Sequence, residues 1–233
     1  MLTLDASYYV IVGHYGSGKT ELSLALARQL RRSSARRVAL VDLDTVNPYF
    51  RSAERAELLR KEGIEVMMPS FALSTVDIPA LPAEIQGVFE PGRYDHVVID
   101  VGGDEAGATA LGRYAPFIRP IRDRMKVFYV VNPFRPMSAT EDDICGLFRL
   151  IQSRARLTPD ALVNNANLQR QTAARDLIDA QELLARVGRR LGVPVGMVAG
   201  YRKFLSDLPP DMRSIYFPLE PLMLPEWLED DLA

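Results

Sequence analysis

Gly13-His14-Tyr15-Gly16-Ser17-Gly18-Lys19-Thr20 is the stretch on which the reading of this chain turns. It fits G-x-x-x-x-G-K-[ST], the pattern of a loop that wraps phosphate groups. A backbone folded round a polyphosphate aims consecutive N–H groups inward, through angles and close approaches that glycine tolerates best. The helix that follows adds its own unpaired N–H groups and the positive end of its dipole. In such a loop Lys19 bridges the β- and γ-phosphates as a point charge, and the Thr20 hydroxyl ligates Mg²⁺. Gly13 to Thr20, with Glu21 in the first helical turn, are the candidate nucleotide-binding set.

The flanks agree with that reading. Tyr8-Tyr9-Val10-Ile11-Val12 is an aromatic and β-branched run suited to a buried strand. Leu22, Leu26 and Leu30 keep helical spacing on the other side. Lysine is scarce: Lys19, Lys61, Lys126 and Lys203 stand among 28 basic residues, so Lys19 is no by-product of a lysine-rich surface.

Further out, apolar strands keep ending in polar groups. Val38–Val41 runs into Asp42-Leu43-Asp44, with Asn47-Pro48 beyond. Asp95–Asp100 ends in a carboxylate followed by the glycine-rich turn Gly102, Gly103 and Gly107. Val127–Val131 closes on Asn132-Pro133-Phe134-Arg135-Pro136, and Ser138 or Thr140 caps the next helix. Ala161–Val163 leads into Asn164-Asn165-Ala166-Asn167, and a long helix follows over 172–191. A last core strand starts at Val193, and the proline-rich tail from Pro209 is expected to wrap the surface. Residues 69–92 read as loop around a short helix. Short, continuously apolar strands alternating with helices predict an α/β three-layer sandwich, with a mainly parallel twisted sheet covered on both faces. Ligands of such sheets bind at the strands' carboxyl ends, where all these polar groups fall. The expected organisation is one nucleotide-binding domain over 1–233, with 205–233 as a tail packed on it.

Composition narrows the function classes. A chain of 233 residues with 48% hydrophobic and 25% charged residues fits an ordinary globular domain. The net charge of −2 gives no global attraction for nucleic acid or an anionic membrane. Cys145 alone makes no disulfide or metal site and reads as a core thiol in a helical pattern. No run of apolar residues is long enough to span a membrane. No signal peptide is evident, so the cytoplasm is the expected location. The basic turn over 31–37 reads as solvated arginines near a helix end. His96, opening a buried strand, reads as packed rather than catalytic.

Asp100 sits where a triphosphatase holds Mg²⁺, and its glycine turn suits a switch that answers to the γ-phosphate. Asp104 and Glu105 are equally readable as part of that switch or as surface charge. Asp42 and Asp44, two apart, suit a metal neighbour and a carboxylate that orients water. The phosphate loop, Asp42-x-Asp44 and Asp100-x-x-Gly103 together resemble the MinD/ParA/ArsA (SIMIBI) branch of P-loop ATPases, over about residues 8–200. The resemblance implies Mg²⁺-dependent ATP hydrolysis, often in a nucleotide-sandwiched homodimer. By position, Lys19 and Asp44 match catalytic residues of that branch, with Asp44 the water-positioning aspartate and Asp42 its partner. Thr20, Asp42 and Asp100 match its metal shell. Asn164 or Asn165 matches the adenine-binding asparagine, with Asn167 a third choice. One position departs: the branch's signature lysine follows the first glycine, and here His14 stands there, shorter and neutral at pH 7.

These readings lead to a Mg²⁺-dependent ATPase acting as a nucleotide switch for a partner protein or assembly. The alternative on the same core is a transferase or ligase, such as a small-molecule or polynucleotide kinase, with Arg51, Arg113 and Arg135 as acceptor-site candidates. Guanine specificity finds no Asn-Lys-x-Asp after a strand.

Overall fold

The computed structural model describes residues 3–33, 37–44, 53–68 and 83–220. Among these residues eight strands make one sheet: β1 Tyr8–Gly13, β2 Val38–Asp42, β3 Ile64–Met67, β4 His96–Asp100, β5 Met125–Val131, β6 Ala161–Asn164, β7 Val195–Tyr201 and β8 Tyr216–Leu219. Between them run α1 Lys19–Ser33, α2 Ala53–Lys61, α3 Ala83–Gln86, α4 Glu105–Arg113, α5 Ala115–Ile118, α6 Glu141–Ala155, α7 Ala174–Leu191 and α8 Pro210–Ser214. The strand order is β3-β2-β4-β1-β5-β6-β7-β8, and every pairing is parallel. The expected α/β architecture is therefore present, with the sheet wholly rather than mainly parallel.

This order positions the site. From β1 the chain moves to one side of the sheet for β2, β3 and β4, then crosses β1 to build β5 and its successors on the other. The direction reverses at β1, where an open parallel sheet leaves a crevice beyond its strand ends. The phosphate loop emerges at that point.

Strand residues alternate between two apolar layers. Val10 and Val12 face the core beneath α4 and α6, whereas Tyr9 and Ile11 face the core beneath α1. Leu22, Leu26 and Leu30 of α1 are at most 1% exposed, each burial contributing roughly 1.5–3 kcal/mol. Cys145 lies in the first layer as a buried free thiol, as its helical spacing suggests. Thr140, not Ser138, caps α6 by accepting from Asp143 N; Ser138 instead donates to Asn132 O at 2.8 Å. His96 is packed, its Nδ1 2.9 Å from Ala6 O.

The chain beyond Pro209 departs from the expected surface wrap. Tyr216–Leu219 pairs with β7 as the eighth strand, so this part of the 205–233 tail is built into the sheet. Pro218 breaks the strand pattern in the sequence, yet β8 tolerates it as the edge strand among the described residues, where a missing N–H costs little. Arg32 and Arg37 of the basic turn pair with Glu220 and Asp95. Asn47, Pro48, Arg51 and the span 69–82 lie outside the described residues.

Candidate functional site

The loop from Gly13 to Thr20 leaves β1 and opens α1. Gly18 holds φ +88, and a Cβ there would overlap Asn165 Nδ2, so glycine is required twice over. Asn165 Nδ2 donates to Ser17 O at 2.7 Å and pins the loop from the β6 side. Lys19 is 7% exposed, and its Nζ donates to His14 O at 3.0 Å. Burial pushes its pKa down, while Asp100, Asp44 and Asp104 pull it back. Three acidic groups therefore act on the buried amine at the mouth of the loop. Burial also lowers the His14 pKa, with Lys19 acting in the same direction. A neutral imidazole therefore stands where the signature lysine was missing.

Asp100 is 1% exposed, receives Ser23 Oγ at 3.3 Å and is hydrogen-bonded by the Thr20 hydroxyl. Burial pushes its carboxyl up to about 6, against the pull of Lys19. Asp42 is its register partner on β2 and equally buried. Asp42 Oδ1 accepts from Asp44 N at 2.9 Å, which directs the half-buried Asp44 side chain to the cavity it shares with Lys19 and Thr20. The expected set Lys19, Thr20, Asp42, Asp44 and Asp100 thus meets at three adjacent strand ends.

The glycine turn lies directly on the loop: a Cβ on Gly103 would stand 2.6 Å from Tyr15 N and 2.7 Å from Lys19 Nζ. Asp104 caps α4 by accepting from Gly107 N at 2.8 Å, and Glu105 pairs with Arg154 at the surface. The two acidic residues therefore separate, with only Asp104 close enough to act on Lys19.

Two cavities meet across the loop and share Gly16, Gly18, Glu21 and Arg135. One holds His14, Tyr15, Lys19, Thr20 and Asp44. The other is completed by Asn132, Asn165, Asn167, Gln169, Tyr201 and Leu219. This second cavity divides the asparagines that the sequence left open. Asn164 turns away, donating to Leu177 O at 2.8 Å and Gln181 Oε1 at 3.0 Å, while its Oδ1 accepts from Ala166 N. It is a core residue that ties β6 to α7, and the nucleotide-binding role proposed for it from its position does not fit this geometry. Asn165 lines the cavity, with one amide N–H given to Ser17 O and a buried Oδ1 that has no hydrogen-bond partner. Asn167 lines the cavity too, with Oδ1 engaged by Gln169 N at 2.5 Å.

Sequence reasoning missed Asn132, Gln169, Tyr201 and Leu219 as lining residues. The Asn-Pro exit of β5 was the only visible signal for one of them. Arg135, weighed for an acceptor site, is instead at the loop, its Nε 3.0 Å from Gly16 O. Among the described residues no group of three His, Cys, Asp or Glu stands ready to hold a metal alone, and no helix is long and apolar enough to cross a membrane.

No protein-family model matches the sequence, and no curated protein does. Solved structures do. The cell division protein FtsY of Thermotoga maritima matches at 19% identity with a TM-score of 0.56, over 87% of this chain and 66% of that one. FlhF complexed with GTP and Mg²⁺ matches at 17% and 0.52, over 84% and 66%. A nucleotide-binding protein of Archaeoglobus fulgidus in complex with ADP matches at 14% and 0.50, over 86% and 84%. The chain thus spans just under two thirds of the FtsY and FlhF chains. At these identities the likeness is one of fold, and the fold is that of P-loop NTPases. These structures carry names other than MinD, ParA or ArsA, so placement in that branch rests on the sequence motifs alone.

Proposed function

We propose that this protein is a Mg²⁺-dependent ATPase that works as a nucleotide switch for a partner protein or assembly. The observation that carries the reading is Lys19: a buried amine at the mouth of a glycine loop, opposed by carboxylates at adjoining strand ends. That arrangement suits an anionic ligand lying between lysine and a cation. FlhF with GTP and Mg²⁺ and the ADP complex from Archaeoglobus fulgidus lend general support to nucleotide binding on this fold.

The donor set suits Mg²⁺ held jointly with phosphate oxygens and water, as that ion prefers. Thr20, Asp42 and Asp100 would hold it, and a fully buried Asp100 whose carboxyl is pushed up to about 6 gains most from a nearby cation. Mg²⁺ at this position supplies charge neutralisation for the phosphate chain. Lys19 binds the β- and γ-phosphates, and Asp44 orients the attacking water. The turn at Gly102–Gly103, already against Tyr15 and Lys19, has to answer to a γ-phosphate. A nucleotide-bridged homodimer, implied by the MinD/ParA/ArsA resemblance, belongs to the same reading, with His14 in place of its cross-subunit lysine.

Adenine is the base that the resemblance implies, and Asn165 is the residue that would read it. With one amide N–H committed to Ser17 O, its second N–H and Oδ1 remain to donate to and accept from a base edge. The test is ATP binding and phosphate release by the wild type and by Lys19→Ala. Slow release with Mg²⁺ that falls at least tenfold in the variant supports the reading. No ATP binding by the wild type, or binding unchanged in Lys19→Ala, refutes it.

A further inference from the structure

Arg135 is the arginine that lines the two cavities of this site. Arg122, Arg154, Arg186 and Arg190 pair with Asp160, Glu105, Glu141 and Asp142. Arg135 is exposed and makes no ion pair with a described carboxylate. Its one polar anchor is Gly16 O, reached through Nε at 3.0 Å. Since Nε is used on the loop, both terminal nitrogens of the guanidinium remain for a ligand. The side chain packs flat against Gly16, where a Cβ would meet Nε at 3.1 Å.

The support behind it is stiff. Arg135 N donates to Asn132 O at 3.1 Å, and Ser138 N donates back to Arg135 O at 2.9 Å. Asn132 is itself tied to the β6 exit, with Nδ2 donating to Asn167 O at 3.0 Å. Pro133 and Pro136 restrict the backbone on both sides. Such a loop holds a long cation at a set place, with less entropy to lose on binding. That place is the boundary of the two cavities, since Arg135 lines both.

We infer that Arg135 is a second phosphate-binding cation of this site, clamping the α- and β-phosphates of a nucleotide from outside the loop while Lys19 holds the β- and γ-phosphates from within. The inference rests on the nucleotide reading above and adds a residue to it. Lys19 alone faces Asp44, Asp100 and Asp104, and His14 is held neutral, so the same chain supplies the missing positive charge from the β5 exit. A planar fork also suits two phosphate oxygens better than an ammonium does.

Calorimetric titration of ATP, ADP and adenosine into the wild type, Arg135→Gln and Arg135→Lys tests it. Arg135→Gln should lose about 10- to 100-fold in affinity for ATP and ADP, the range of a hydrogen-bonded charge contact. Its affinity for adenosine and the melting temperature of the empty protein should stay at wild-type values, and Arg135→Lys should recover part of the loss. ATP affinity within twofold of wild type in Arg135→Gln overturns the inference and leaves the functional reading standing. Equal losses for ATP and adenosine also overturn it, because Arg135 then acts only by shaping Gly16. A wild type that binds no nucleotide overturns the functional reading, and this inference with it.

Discussion

The cavity over Lys19 is walled mostly by one short segment, residues of His14 to Glu21 other than Ser17, with Asp44, Arg135 and Pro136 leaning in. The cavity on the other side of Gly16 draws its wall from five separate strand ends and loops, reaching as far along the chain as Leu219. In the first, spacing along the sequence sets spacing in space, because consecutive N–H groups and a helix start make the site. In the second, neighbours are made by the order of strands, and adjacent residues part company. Asn164 and Asn165 show this most plainly: one strand pleat sends the first into the core and the second to the loop. A phosphate site can be local, whereas a base site here is a product of topology.

The strongest way to break the boundary between the two is Gly18→Ala. The new Cβ meets Asn165 Nδ2 at positive φ, and the strained backbone should cost about 2–4 kcal/mol in chemical denaturation. ATP binding should vanish with it, because the loop and its pin from β6 fail together. Next comes the pair that divides the asparagines. Asn164→Ala should cost about 2–3 kcal/mol, leaving buried partners on α7 unsatisfied, while the preference for ATP over GTP holds. Asn165→Ala should cost about 1–2 kcal/mol and reduce that preference about tenfold, read by competition between the two nucleotides. Equal preference in both variants would remove the distinction drawn between them.

Asp100→Asn comes third and sharpens the phosphate side. The carboxyl of the folded protein sits at about 6 against an ordinary 3.8, so the ionised form is disfavoured in the fold. This carboxylate therefore costs the empty protein nothing below pH 3.8, an increasing amount up to about 6, and its full penalty above. Asp100→Asn should stabilise the empty protein by about 1–2 kcal/mol at pH 7, less than the full shift because Lys19 loses a partner, with the gain gone by pH 4. Mg²⁺-dependent hydrolysis should fall at the same time. Thermal melts across pH 4–8 measure the first effect, and phosphate release the second. The smallest effect belongs to the far end of the sheet. Asp160 joins β5 to β6 by accepting from Val127 N at 2.7 Å and pairing with Arg122. Asp160→Ala should cost about 1 kcal/mol with ATP affinity unchanged.

Fold and site were unequally legible in the sequence. The central strands announce themselves because both faces are covered, so apolar residues run without alternation, as in Val38–Val41 and Val127–Val131. Lys19, Thr20, Asp42, Asp44 and Asp100 were readable because each ends or follows such a run. The eighth strand was not, since Pro218 erased the pattern that its edge position allows. The base side was half readable. Asparagines at the β6 exit were visible, but which of them faces the cavity depends on α7 and the loop, through Leu177 and Ser17. Tyr201 and Leu219 carry no signal at all until β7 and β8 are paired.

The central claim is that one nucleotide spans both cavities across Gly16–Gly18, and calorimetry on the wild-type protein tests it most directly. MgATP should bind one to one with a Kd near or below about 10 μM, displacing both inorganic triphosphate and adenosine, each of which should bind at least about 100-fold more weakly. A Kd for ATP no better than that of triphosphate, or adenosine binding undisturbed beside ATP, would contradict it.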